Sequence, residues 1–169
     1  YNPDIKLGLE PKPFEPRAYS FIDTTPKALL LINDIGRNNV GICLDIGHSM
    51  YGHENLAEMT VLTGERLFHL HMNDNYNDAD WDMPFGSVHF LGLVEFFYWL
   101  MRTGFDGWHS VDIFPYRTDP RESVLESLRW MDAIYGFVEK AGQNNLDTLI
   151  QKNDGLAALR FFRELMFGK

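Results

Sequence analysis

The chain carries one cysteine, Cys43, so no disulfide can close within it, and such sparing use of cysteine matches a reducing compartment. Basic residues are also short: 15 Lys and Arg stand against 24 Asp and Glu, a formal charge of −9. They form no block or stripe. Binding to a phosphate backbone rests on neutralising charge, so a nucleic-acid partner is not expected. No apolar run approaches the roughly 20 residues of a membrane helix, and no signal-peptide pattern opens the chain. These absences predict a cytoplasmic protein with no membrane partner. The first residue is Tyr1 rather than Met, and an apolar strand follows almost at once. That is expected of a piece of a longer polypeptide or of a processed start.

What is present is enough apolar residue, 45% of 169, for one sizeable core. Residues 5–10 alternate, with Leu7 and Leu9 to one side and Lys6, Gly8 and Glu10 to the other. Pro11 and Pro13 stop this strand, since neither can donate to a sheet ladder. Thr24-Thr25-Pro26 opens a helix that Gly36 ends. A second strand is predicted over 40–45, a helix over 54–65 and a third strand over 67–71. A polar loop over 73–86, a helix over 90–101 with Gly104 as its stop, and a fourth strand over 108–113 come next. Asp119-Pro120 opens a helix to about Ala141, and helices over 146–152 and 156–167 finish the chain with no strand after them. Four strands, each followed by a helix, imply an α/β fold of parallel βα units, four of the eight in a TIM barrel. Residues 1–141 read as that half barrel. Residues 142–169 read as a helical extension lying on its outside or on a neighbouring subunit.

Ligands of such sheets sit at the carboxyl ends of the strands. The first strand ends in Glu10, with Lys12 two residues on. The second ends in Asp45, with His48 in the turn that Gly47 permits. The third ends in His71, and its loop carries Asp80-Trp81-Asp82. The fourth ends in Asp112. Alternation aims Glu10, Asp45, His71 and Asp112 away from the apolar Leu9, Leu44, Leu70 and Val111, which in a barrel is inward. Asp and Gly are ordinary turn residues and a single His is commonly just hydrogen-bonded, so no one position decides. Together the four strand ends read as a metal site, because clustered carboxylates are costly unless a cation compensates them.

Carboxylate oxygen with imidazole nitrogen suits a divalent cation, Mn²⁺ first, with Co²⁺, Mg²⁺ or Zn²⁺ as alternatives. Glu10, Asp45, His71 and Asp112 suffice for one ion, and His48, Asp80 and Asp82 are left to suit a second. Lys12 reads either as an ammonium that stabilises developing negative charge or as a loop lysine neutralising Glu10 or Glu15. Trp81, Phe85, Phe114 and Tyr116 lie near these residues in sequence, either to stack on a ligand or to pack in the core. His69 falls one layer below His71, the place of a supporting neighbour. His53, His89 and His109 have no assigned part.

Five pieces resemble, in order, the C-terminal half of the xylose-isomerase-like TIM barrels. They are Leu9-Glu10-Pro11-Lys12-Pro13, Asp45-Ile46-Gly47-His48, Leu67-Phe68-His69-Leu70-His71-Met72-Asn73, Asp80-Trp81-Asp82-Met83-Pro84-Phe85-Gly86 and His109-Ser110-Val111-Asp112. Asp in the second strand and His in the third look closer to L-rhamnose isomerase than to xylose isomerase, which usually has Glu and Asp there. The resemblance implies that Glu10, Asp45, His71 and Asp112 hold a structural ion and that His48, Asp80 and Asp82 hold a catalytic one. Lys12 would contact the terminal oxygen of the substrate. The implied reaction is aldose–ketose isomerisation, a hydrogen shift between C1 and C2 of an open-chain sugar. In it a cation polarises the carbonyl while Lys12 stabilises charge on O1.

Three other readings stand beside this one. A single-metal ketose epimerase of the same superfamily would use the first four ligands, though such enzymes commonly have Glu where this chain has Asp112. A DNA-repair endonuclease of the same barrel type is disfavoured by the acidic charge. The third is a non-catalytic metal-bearing half barrel serving assembly or regulation. The resemblance also implies a partner, a second copy of the chain or a missing N-terminal half. An isolated half barrel exposes sheet edges and apolar surface.

Overall fold

The computed structural model describes residues 2, 4–15 and 18–168, with the backbone alone at Glu15. Tyr1 and the side chain of Glu15 lie outside the described residues. The first strand, β1, is Leu7–Leu9, shorter than the predicted alternation. It is an edge strand, and Ile5 and Leu7 are exposed. A two-residue hairpin that the sequence pattern did not announce follows, β2 (Phe14–Glu15) with β3 (Ala18–Tyr19). Helix α1 (Thr25–Ile35) starts as expected, with the Thr24 side chain accepting from Lys27 N and Pro26 in the first turn. Gly36 ends it in the left-handed region, φ 64°.

Strand β4 (Val40–Asp45) is buried throughout. It does not lead into a simple turn. Helix α2 (Ile46–Tyr51) begins at once, with Asp45 as its N-cap, and α3 (Leu56–Thr63) follows behind the Asn55 cap. Strand β5 is Leu67–Met72, helix α4 is Phe90–Thr103 and strand β6 is Trp108–Val111. Helices α5 (Pro120–Ala141), α6 (Gln143–Lys152) and α7 (Gly155–Phe167) complete the described chain. The four long-range strands lie in the order β1-β4-β5-β6, every neighbouring pair parallel. This is the arrangement of consecutive βα units in a partial barrel.

One face of the sheet carries Ile42, Leu44, Leu70 and Met72 into the core. Helix α4 meets it with Leu93, Phe96, Phe97 and Leu100, and α5 adds Met131, Ile134 and Val138, each at helical spacing. Helices α6 and α7 pack against these helices, and Leu146 of α6 joins the buried core. Tyr98 OH and Arg102 Nη1 both donate to Asp147 of α6, the latter at 2.9 Å. Phe137 stacks on Phe162 of α7 with ring centroids 6.2 Å apart. Among the described residues no helix is long and apolar enough to cross a membrane.

Candidate metal centre

The stagger between parallel strands decides which strand ends meet. Asp45 pairs with His71, and Met72 pairs with Val111, which places Asp112 just beyond the sheet on the same side. Three carboxylates then converge on one imidazole nitrogen. His71 Nδ1 is 3.0 Å from Glu10 Oε1, 3.1 Å from Asp112 Oδ2 and 3.7 Å from Asp45 Oδ2. One donor atom from each of the four residues lies within 4.8 Å of all the others. Hydrogen bonds to Asp45, Cys43 and Glu10 outweigh burial and push the His71 pKa up to about 12. An oxygen-rich set with one nitrogen fits a hard or borderline divalent cation.

Asp45 is the deepest of these groups, at 1% exposure. Its Oδ1 accepts from His48 N at 2.9 Å, as the cap of α2, and from Asn73 Nδ2 at 3.1 Å. The same amide reaches Oδ2, also at 3.1 Å. Asn73 approaches so closely because residue 47 is glycine; a Cβ there would collide with Asn73 Oδ1. Gly47 therefore serves close approach within a helix, not the turn its sequence context predicts. Asn73 was not among the sequence-derived site residues. Its only signal is the polar run Asn73-Asp74-Asn75 directly after an apolar strand, and all three residues are fully buried.

A second cluster stands beside the first. Lys12 Nζ is 2.7 Å from Asp80 Oδ2, and His48 Nε2 is 3.4 Å from the same oxygen. Lys12 thus meets Asp80 in this cluster, while the expected alternative partner Glu15 has its side chain outside the described residues. Burial works against ionised Asp80, yet the His48 and Lys12 hydrogen bonds hold its pKa down at about 2. For His48 burial also disfavours charge, but Asp80 and Asp45 leave the pKa above its ordinary value. Asp82 goes the other way. Burial, with Asp80, Asp45 and Asp112 around it, raises its pKa to about 6. Glu10, Lys12, His48, Asp80, Asp82 and Asp112 line one cavity of about 360 Å³. Two groups of three or more metal donors gather among the described residues, and His48, Asp80 and Asp82 belong to neither.

The loop that carries Asp80 and Asp82 is held over the sheet by Asp74. That buried carboxylate accepts from Val88 N at 2.7 Å and His89 Nδ1 at 2.7 Å, and its backbone bridges to Met83. Asp82 sits at φ 46°, and its carbonyl accepts from Phe114 N at 2.9 Å. Phe85, in the same loop, is a core residue at 1% exposure and is not available for stacking on a ligand. Trp81, Phe114 and Tyr116 remain exposed. His69 Nε2 meets Ser110 Oγ at 2.8 Å, and its ring stands edge-on to His71 at 5.3 Å.

Comparison with known proteins bears on the family and the fold. Residues 2–134 match the family described as "Xylose isomerase-like TIM barrel". The chain is 30% identical over 132 residues to the xylose isomerase of Streptomyces lividans, covering 73% of this chain and 32% of that protein. The crystal structure of a D-tagatose 3-epimerase-like protein is similar with a TM-score of 0.66 at 26% identity, over 80% of this chain and 49% of that one. The 3-keto-D-glucoside 4-epimerase of E. coli shares the fold, with a TM-score of 0.61 at 23% identity over 76% of this chain and 46% of its own. The chain thus spans about a third of that isomerase and about half of those structures. A parallel half sheet, its strand-end donors and a match over most of its length make the chain a member of the xylose isomerase-like TIM-barrel family.

Proposed function

We propose that this chain is the catalytic-face half of a divalent-cation-dependent sugar isomerase, moving hydrogen between C1 and C2 of an open-chain sugar. The observation that carries the reading is the convergence of Glu10, Asp45 and Asp112 on His71 Nδ1. These four residues would hold the ion, Mn²⁺ in the first instance. When bound, such an ion supplies Lewis acidity to a carbonyl oxygen. Lys12 presents a fixed positive charge at the cavity wall, and the ionised Asp80 keeps its Nζ in place. That ammonium stabilises an oxygen on which negative charge grows. His48 and Asp82 line the same cavity and can exchange protons with the sugar oxygens. The similarity to a xylose isomerase supports this choice of reaction. Lys12, His48, Asp80 and Asp82 are then the catalytic residues, with His48, Asp80 and Asp82 as the ligands of a second ion. The active form includes a further half barrel, from a second copy or from another part of the polypeptide, and works in the cytoplasm.

A second reading is a single-metal ketose epimerase. Two observations favour it: the four-donor group is complete without Asp80, and Lys12 occupies Asp80 Oδ2. The similarity to a D-tagatose 3-epimerase-like protein points the same way. Counting ions per chain after Mn²⁺ loading and desalting separates the two. Close to two ions, both surviving in the Lys12→Met variant, support the isomerase. One ion supports the epimerase, and deuterium washed into C3 rather than C1 or C2 of a ketose would confirm that change. Asp45→Asn is expected to abolish metal uptake; unchanged uptake would overturn the centre itself.

A further inference from the structure

Cys43 has no part in the reading above. It is 7% exposed, yet it stands outside the core cluster that Ile42 and Leu44 join. Alternation explains this, because Cys43 shares the inward face of β4 with Asp45 two residues on. Gly8 on β1 leaves room for it, and a Cβ at that position would stand 3.1 Å from Cys43 Cβ. Leu9 pairs with Ile42, so Glu10 falls level with Cys43 rather than with Asp45. The outcome is a second group of donors. Cys43 Sγ, a Glu10 oxygen and a His71 nitrogen lie within 4.8 Å of one another. His48 Nδ1, buried and without a hydrogen-bond partner, stands 3.5 Å from Glu10 Oε1. It is an unsatisfied nitrogen aimed at the carboxylate this group shares.

We propose that Glu10, Cys43 and His71 form a thiolate-bearing coordination set, one layer below the oxygen-rich one, for a thiophilic divalent cation of the Zn²⁺ and Cd²⁺ class. The proposal rests on Glu10 and His71 being ligands in the reading above. One sulfur, one nitrogen and one oxygen leave a fourth tetrahedral position for water, a familiar zinc geometry. As the metal–sulfur and metal–nitrogen bonds form, the thiol proton and the proton on the His71 nitrogen both pass to buffer. Soft sulfur favours Zn²⁺ and Cd²⁺ over Mn²⁺ and Mg²⁺, which prefer the carboxylates above. Because Glu10 and His71 serve both sets, occupancy is exclusive. A thiophilic ion in the lower set blocks the upper one, so the same strand ends sort metals by softness.

The test is titration of the metal-free 169-residue chain with Cd²⁺, read by the ultraviolet thiolate-to-cadmium charge-transfer band. Mn²⁺ uptake is read separately by electron paramagnetic resonance. Wild type is expected to develop the band to one equivalent and, once loaded with Cd²⁺, to take up one Mn²⁺ fewer per chain than the metal-free form. Cys43→Ser and Cys43→Ala are expected to lack the band, to bind Cd²⁺ at least tenfold more weakly and to take up Mn²⁺ as wild type does. Cd²⁺ binding to wild type without the band overturns the proposal, as do unchanged Cd²⁺ affinity in both variants or undiminished Mn²⁺ uptake by the Cd²⁺-loaded form. If wild type fails to take up Mn²⁺ but shows the band, the oxygen-rich centre is wrong and the thiolate set stands. Binding of neither ion overturns both.

Discussion

At the scale of single residues, the centre depends on how a buried carboxylate is kept charged. Asp45 is nearly inaccessible, and leaving such a group ionised is costly unless donors surround it. The backbone of α2 supplies one donor and the Asn73 amide another. Asn73 thereby orients the Asp45 carboxylate that the proposed ion would bind. Asn73→Ala is expected to weaken Mn²⁺ binding by about 10-fold to 100-fold. Gly47→Ala, which pushes the amide away, should do the same in a calorimetric titration. Wild-type affinity in both variants would mean that the backbone donor suffices. Asp82 yields a prediction of opposite sign. Its folded pKa is raised from 3.8 to about 6, so its contribution to stability is complete below the unfolded value and lost as pH rises through about 6. Above that, ionised Asp82 strains the metal-free face. Asp82→Asn, tolerated at positive φ, should raise the melting temperature in chelator by about 2 °C near neutral pH, the figure allowing for partial exposure. Below about pH 4 it should gain nothing. An equal gain at both pH values would show that charge is not the cause.

At the scale of elements, what could be read in the sequence was whatever a single element decides for itself. The runs Val40–Asp45 and Leu67–Met72 are largely apolar and bounded, α1 and α5 carry their own caps and stops, and α4 carries its own stop. Strand-end donors were legible too, because parallel topology turns "last residue of a strand" into "same face". What escaped depends on pairs of elements. Cys43 joins Glu10 through the stagger of β1 on β4, and the pairing of β4 with β5 shifts register between Ile42 and Cys43. No pattern within one strand encodes such a shift. The six-residue α2 was hidden by Gly47, whose purpose lies on another strand's loop. The tie between the acidic loop and α5 was equally invisible. Phe85 N donates to Ser127 Oγ at 3.1 Å, and Ser127 donates on to Ser123 O at 2.9 Å. Ser127→Ala strands a buried N–H, with an expected loss of about 1–3 kcal/mol in urea unfolding. A change within about 0.5 kcal/mol would mean that the loop finds another acceptor.

At the scale of the molecule, the sheet is closed at neither side. Within the described residues β1 and β6 each pair with one neighbour only, so both present unpaired backbone groups. Apolar side chains mark the same borders: Trp108 on β6 is 80% exposed and Leu7 on β1 is 54% exposed. Hydrophobic edges favour association, while a charge of −9 opposes it between identical copies. Salt screens the second effect and not the first, which separates them. Light scattering is expected to give masses above the monomer's 19.6 kDa as concentration rises, and more so at high ionic strength. Trp108→Lys, a charge on the edge strand, should lower that mass while leaving Mn²⁺ uptake unchanged, since the four donors lie at the strand ends. A wild-type chain that stays at 19.6 kDa throughout would mean that charge outweighs the exposed edges. A more basic half barrel would then be the partner to seek, rather than a second copy.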